Sequence, residues 1–221
     1  MENPQNKYRY ERKYLLDIDR YDAFLQKLTE KDFVIHHPPR KVNNIYIDSL
    51  SKDSFIENIE GESKRNKYRL RWYGERFGAL SSSFEVKMKK DKVNRKKTVK
   101  LSKIKLNSLM EVPSLMEEVY RQILPQDGEL FVQVCNKYPT LLNGYEREYY
   151  ITADDQIRLT VDRNMYYYNV STGQESKEQS LMIVELKYAS DVIPDVDFDG
   201  LELILSKNSK YVSGIELTSI N

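Results

Sequence analysis

One cysteine and two histidines are all that this 221-residue chain carries of the side chains that most often build zinc sites and nucleophilic relays. Cys135 alone excludes an intramolecular disulfide and fits a reducing compartment, where it reads as a buried thiol. His36 and His37 are adjacent and run straight into Pro38-Pro39, which reads as a surface loop and argues against a Ser/His/Asp or Cys/His relay. There is no Walker A loop, no kinase motif set and no Cys/His zinc spacing. The polar N-terminus lacks the apolar core of a secretory signal, and no run approaches bilayer-spanning length, so the chain reads as cytoplasmic with no membrane segment of its own. Lys plus Arg (35) nearly balance Asp plus Glu (34), which excludes a polybasic nucleic-acid tail.

The balance is not local. Between Lys64 and Lys105 sixteen Lys/Arg face three acids, Glu75, Glu85 and Asp91, so an anionic partner is expected there. The charges are also ordered. In Lys67-Tyr68-Arg69-Leu70-Arg71-Trp72-Tyr73, strand alternation puts Lys67, Arg69 and Arg71 on one side and Tyr68, Leu70 and Trp72 on the other. Glu85, Lys87 and Lys89 alternate with Phe84, Val86 and Met88. Arg158, Thr160 and Asp162 alternate with Leu159 and Val161, and Val184 to Tyr188 repeats the pattern. An open sheet would turn such a face to water; a sheet closed into a barrel would turn it inward around a charged ligand. The repeated choice of Arg, Lys and isolated carboxylates favours the barrel, because those groups suit phosphate and a metal ion.

Taken in order, residues 7–18 predict a first strand with Arg9, Glu11 and Lys13 on one face. A helix follows from Asp19 to about Lys31, packing through Phe24, Leu25 and Leu28. Pro38-Pro39 is expected to break the chain before a strand from Val42 to Asp48. Asp53 to Glu60 predicts a short helix closed by Gly61, and Gly74 ends the Lys67 strand. Asp91 to Asn94 predicts a hairpin turn into Lys96 to Leu101. Pro113 opens a helix to about Leu124, a second helical piece spans Gln126 to Cys135, and strands follow over Leu141–Ile151, Gln156–Tyr168 and Leu181–Tyr188. Asp191 to Gly200 reads as an acidic loop, and Leu201 to Leu205 as the start of a last helix. Seventeen tyrosines, clustered at Tyr149-Tyr150 and Tyr166-Tyr167-Tyr168, suit a rim or wall of strands. Neither an internal repeat nor a linker interrupts residues 1–221, which read as a single domain.

A triphosphate carries about four negative charges, and its transfer depends on in-line positioning and charge neutralisation rather than on a covalent nucleophile. Several Arg and Lys with one or two hard divalent ions would suffice. Glu11, Glu85 and Glu185 are the carboxylates set among the cations, able to hold magnesium or manganese through oxygen or, alternatively, to close internal salt bridges. The other class of function is a basic groove that holds polyphosphate or single-stranded nucleic acid without turnover. Nucleic acid is disfavoured, because Trp72 lies on the apolar side, opposite Arg69 and Arg71.

Tyr10-Glu11-Arg12-Lys13-Tyr14, Tyr68 to Gly74, Phe84-Glu85-Val86-Lys87, Tyr145-Glu146-Arg147, Arg158 to Asp162, Val184 to Tyr188 and Ser209-Lys210-Tyr211 together resemble the successive motifs of the vacuolar transporter chaperone (VTC) catalytic domain. That family is the polyphosphate polymerase branch of the triphosphate tunnel metalloenzymes. The resemblance implies an α+β fold, a closed antiparallel β-barrel of about eight strands with a charged interior, flanked by several helices. It implies an ATP-dependent transferase that lengthens inorganic polyphosphate, with triphosphate hydrolysis as the close alternative. Carried over motif by motif, it gives Arg69, Arg71, Lys87, Arg147, Arg158 and Lys210 catalytic roles on the phosphates. Lys13, Lys96, Lys187, Tyr145 and Ser209 would bind phosphate, with Lys97 or Lys100 as alternative registers for Lys96. Glu185, Glu85 and Glu11 would serve a Mn or Mg ion. The related CYTH branch carries Glu-x-Glu-x-Lys on its first strand; here Arg9 stands at the first Glu, which favours the polymerase branch. No nucleic acid is implied as a partner, and a membrane protein is left open as one.

Overall fold

The computed structural model describes residues 9–90, 93–189, 201, 203–207 and 209–219. The elements run β1 (Arg9–Asp17), α1 (Tyr21–Glu30), β2 (Phe33–Asp48), α2 (Asp53–Glu60), β3 (Lys64–Tyr73), β4 (Gly78–Leu80), β5 (Ser82–Lys90) and β6 (Val93–Lys100). Then come β7 (Ile104–Leu106), α3 (Val112–Ile123), α4 (Gly128–Val134), β8 (Tyr138–Thr152), β9 (Ile157–Asn169), β10 (Glu175–Glu178), β11 (Leu181–Ala189), β12 (Ile204–Leu205) and α5 (Lys210–Leu217). The class is α+β, as the family resemblance implies.

Among the described residues the strands do not close into the expected barrel. Hydrogen bonding gives an open order, β12-β1-β11-β9-β8-β2-β3-β5-β6, with β10 on β9 and a separate β4-β7 pair. One edge strand, β12, is two residues long, and the other, β6, carries Arg95, Lys96 and Lys97; short or highly charged edges resist further pairing.

The chain forms two compact units, each with its own core. The first comprises residues 1–40, 145–165 and 178–208. Here the apolar sides of β1, β9 and β11 place Leu16, Leu159, Val161, Met182, Val184 and Leu186 against Phe24 and Leu28 of α1. α1 starts at Tyr21 rather than Asp19, because the side chain of Asp17 accepts from the Asp19 amide and caps a short 3₁₀ turn first. Glu148, on the β8 segment of this unit, is buried and accepts from Tyr21 and Tyr150 hydroxyls at 2.7 and 2.8 Å, with Arg163 at 2.9 Å. Burial and the Glu148 carboxylate together push the Tyr21 phenol up to about 12.

The second unit comprises residues 41–144, 166–177 and 209–221. Tyr68, Leu70, Trp72, Phe84, Val86 and Val99 pack with Leu115, Met116, Val119 and Ile123 of α3 and Leu130 and Val134 of α4. Trp72 is buried, as its position predicts, and its indole N–H donates to the Glu75 carbonyl at 3.0 Å. On the opposite side α5 covers the face carrying Tyr46: the Tyr211 ring stacks on Tyr46 at 5.0 Å and its hydroxyl donates to Asp48 at 2.7 Å. Gly214 makes this possible, since a Cβ there would press into Leu141 and Tyr167. Gly214→Ala is therefore expected to lower stability by about 1–3 kcal/mol, the usual cost of overpacking, read as a shift of the urea midpoint at constant slope.

Several local expectations are corrected. Pro38-Pro39 does not break the chain but lies inside β2, and His36 and His37 are in this strand rather than in a loop. β3 pairs with β2 only from Val42 to Ile47, so the proline stretch has no β3 neighbour that would need its missing N–H groups. Cys135 is exposed at the end of α4, not buried. Ile204 and Leu205 form β12, paired with Leu15 and Tyr14, and the last helix begins at Lys210. The expected turn residues Asp91 and Lys92 and the acidic stretch 191–200 lie outside the described residues.

Candidate active site

In the second unit the β2-β3-β5-β6 register builds a cationic face. Lys67, Lys87 and Lys96 stand directly opposite one another across β3, β5 and β6. One step along, Arg69 pairs with Glu85 and Thr98; the next row is Asn44, Arg71, Ser83 and Lys100. Like charges placed directly opposite repel one another. Glu85 is 4% exposed and is the carboxylate these cations share. Arg69 donates to it through Nε and a terminal nitrogen at 2.9 and 2.6 Å, Lys96 at 2.7 Å, and Arg71 lies 3.7 Å away. Burial raises its pKa, but Arg69, Arg71 and Lys96 outweigh that and hold it at about 2, so it is ionised at neutral pH.

Arg71 is aimed by a relay of amides. Its Nε donates to Asn44 Oδ1 at 2.7 Å, and Asn44 Nδ2 donates to Asn143 Oδ1 at 2.9 Å, with both asparagines fully buried. Lys67 donates to Ser209 Oγ at 2.8 Å, immediately before Lys210 at the start of α5. The register separates the candidates on β6: Lys96 and Lys100 share the face of Lys87, whereas Lys97 points to the other face and pairs with Asp127 at 2.5 Å.

In the first unit the rows are Glu11, Lys187 and Arg158, then Lys13, Glu185 and Thr160, across β1, β11 and β9. Glu185 is 7% exposed; Lys187 lies 2.5 Å from it, and Lys13 bonds Glu11 at 3.0 Å. Burial alone would raise the Glu185 pKa, and the charges of Lys187, Lys13 and Arg147 instead hold it well below the ordinary carboxylate range. Arg147 makes a two-pronged pair with Asp162 at 2.5 and 2.7 Å, and its guanidinium carbon is 5.2 Å from the Tyr145 ring centre. Asp162 is fully buried. Burial would lower the Arg147 pKa, and the Asp162 carboxylate raises it instead, so the guanidinium is charged at every accessible pH.

The expected residues thus fall into two groups. Glu11, Lys13, Tyr145, Arg147, Arg158, Glu185 and Lys187 belong to the first unit; Arg69, Arg71, Glu85, Lys87, Lys96, Ser209 and Lys210 belong to the second. Lys67 was placed on the cationic side of its strand but given no role, and Asn44, Asn143 and the bond from Arg147 to Asp162 were not picked out in the sequence. Asp162 does alternate with residues that were; for the two asparagines no signal existed.

Among the described residues no cluster of three or more His, Cys, Asp or Glu side chains is placed to hold a metal ion. The donor chemistry nevertheless fits a divalent ion that takes most of its ligands from phosphate and water. Glu185 and Glu11 are diagonal neighbours on one face, and the hydroxyl of Thr160, directly opposite Glu185, is buried with no hydrogen-bond partner. An oxygen so placed calls for a ligand. Glu85, by contrast, has its oxygens taken by Arg69 and Lys96, which is the salt-bridge alternative.

The fold is thus an α+β protein with a large antiparallel sheet whose polar face interleaves cations with buried carboxylates. Residues 8–219 match the family model described as the VTC domain, and the chain belongs to that family. The sequence search of curated proteins finds no match. In structure the chain is similar to a candidate adenylyl cyclase from Hippeastrum described as having a dominant triphosphatase activity. The two share 13% identity with a TM-score of 0.51, over 93% of this chain and 94% of the other. A candidate adenylate cyclase from Vibrio parahaemolyticus aligns at 12% identity and a TM-score of 0.46, over 85% of this chain and 79% of the other. No helix among the described residues is long and apolar enough to cross a membrane.

Proposed function

We propose that residues 1–221 act as one VTC-type catalytic domain that moves the terminal phosphoryl group of ATP onto inorganic polyphosphate. The observation that carries this reading is the in-register row of Lys67, Lys87 and Lys96 beside Arg69 and Arg71, five cations gathered on one face. Arg69, Arg71, Lys87, Lys96 and Lys210 grip phosphate oxygens, Ser209 adds a hydrogen bond, and the Asn44-Asn143 relay keeps the Arg71 fork in one orientation. Lys13, Arg147, Arg158 and Lys187 supply further charge and Tyr145 a hydroxyl. Glu185, with Glu11, would hold a Mn or Mg ion, which when bound supplies charge neutralisation on phosphate oxygens.

A terminal oxygen of the incoming phosphate chain attacks the γ-phosphorus in line. The bond from that phosphorus to the β–γ bridging oxygen breaks, and the electron pair leaves with ADP. No side chain is acylated or phosphorylated. Water in the attacking position gives hydrolysis with the same lining, the second reading, which agrees in chemistry with the activity described for the Hippeastrum protein. Cytoplasmic ATP is the expected donor.

Purified protein incubated with ATP and Mn is expected to give a ladder of long polyphosphate on a gel. Orthophosphate released without a ladder would assign hydrolysis instead, and neither product from folded protein that binds triphosphate would refute both catalytic readings.

A further inference from the structure

Three neighbouring strands of the first unit bring together groups that the phosphate chemistry leaves unused. On β2, His36 and His37 have ring centres 4.0 Å apart, and His37 meets the edge of Tyr149, on β8, at 5.7 Å in a near-perpendicular arrangement. The Arg40 guanidinium, also on β2, lies 5.7 Å from the centre of that same tyrosine ring. Both histidines and Arg40 are exposed, and Tyr149 is half-buried. The β2 stretch from Val34 to Lys41 is exposed throughout. Desolvation first, then the neighbouring His36, Arg40 and Arg158, the last on β9 beside β8, lower the His37 pKa. An aromatic platform edged by guanidinium, next to a phosphate-gripping arginine, has the composition that stacks nucleic-acid bases without reading their sequence.

We infer that Tyr149, His37 and Arg40 form a subsite for the base of the nucleoside triphosphate, stacking it while Arg158 holds the phosphates. This deepens the reading of the chain as an ATP-using enzyme and rests on it. Stacking on a ring tolerates purine and pyrimidine alike, with purines favoured by area, so the subsite selects nucleotide over inorganic triphosphate rather than one base over another.

The test compares ATP with inorganic tripolyphosphate, which has the phosphates and no base, measuring affinity by calorimetry with Mn present and the Michaelis constant by turnover. Wild-type protein is expected to bind ATP about tenfold more tightly than tripolyphosphate. Tyr149→Ala should abolish that difference by weakening ATP alone, Arg40→Ala should reduce it, and Tyr149→Phe should keep it because the ring is retained. Equal affinity of wild-type protein for the two ligands overturns the subsite while leaving the phosphate site standing. Tyr149→Ala weakening both ligands alike overturns it too, as the mark of a structural role. Wild-type protein that binds neither ligand fails earlier, at the reading of the basic faces as a triphosphate site.

Discussion

Arg147→Met is expected to lower the unfolding free energy by about 3–5 kcal/mol, the cost of removing one member of a buried ion pair. Asp162 has no exposed surface, and both of its oxygens are taken by the Arg147 guanidinium. Methionine fills much of the same volume but offers no donor, so the carboxylate must either stay charged in a poor environment or take up a proton. In a chain of this size that loss should appear as a fall in the melting midpoint of about 6–20 °C. The double variant Arg147→Met with Asp162→Leu should recover most of the stability, because both desolvated charges are then gone. Its turnover should not recover if the guanidinium also grips phosphate. A single variant that melts like wild type would show that the pair is solvated, and a double variant with full activity would confine Arg147 to a structural task.

The same pair shows what alternation along a strand reveals and what it does not. Arg158, Thr160 and Asp162 could be assigned to one face from their spacing of two, but which strand lies opposite, and in what register, is a long-range property. Hence Lys67, Lys87 and Lys96 each read as basic, while their alignment in one row follows only from the β3-β5-β6 pairing. That pairing also puts Lys97 on the opposite side from Lys96, a distinction no composition argument could draw. Helices with a strong apolar stripe were legible: Leu115, Met116, Val119 and Ile123 of α3 are buried as their spacing predicts, although Leu124 is exposed. Local breaker rules failed where tertiary context removed the penalty. Pro38-Pro39 continues β2 because β3 stops short of it, and Ile204 and Leu205 pair with β1 where the start of a helix was expected. Closure into a barrel could not be read at all from alternation, since an open sheet and a closed one share the same period.

Glu185→Gln is expected to cut metal-dependent turnover by a hundredfold or more, several kcal/mol of transition-state stabilisation by the rate relation, while leaving tripolyphosphate binding in the absence of metal unchanged or tighter. The substitution is nearly isosteric and removes one negative charge from a face where Lys187, Lys13 and Arg147 remain. If those cations grip phosphate, neutralising their carboxylate frees them for it, so metal-free affinity should not fall. If Glu185 serves only as a counter-ion to Lys187, turnover should survive, and Lys187→Met should then rescue whatever stability the glutamine variant lost. The two roles also separate in a Mn titration. A ligand role raises the ion concentration needed for half-maximal turnover, whereas a counter-ion role lowers the plateau without moving the midpoint. Glu85→Gln supplies the contrast: its oxygens are already engaged by Arg69 and Lys96, so its loss should release two cations and destabilise the fold more than it shifts the Mn midpoint. Equal Mn shifts in the two variants would mean that both carboxylates hold the ion, and that the salt bridges of Glu85 exchange for metal when substrate arrives.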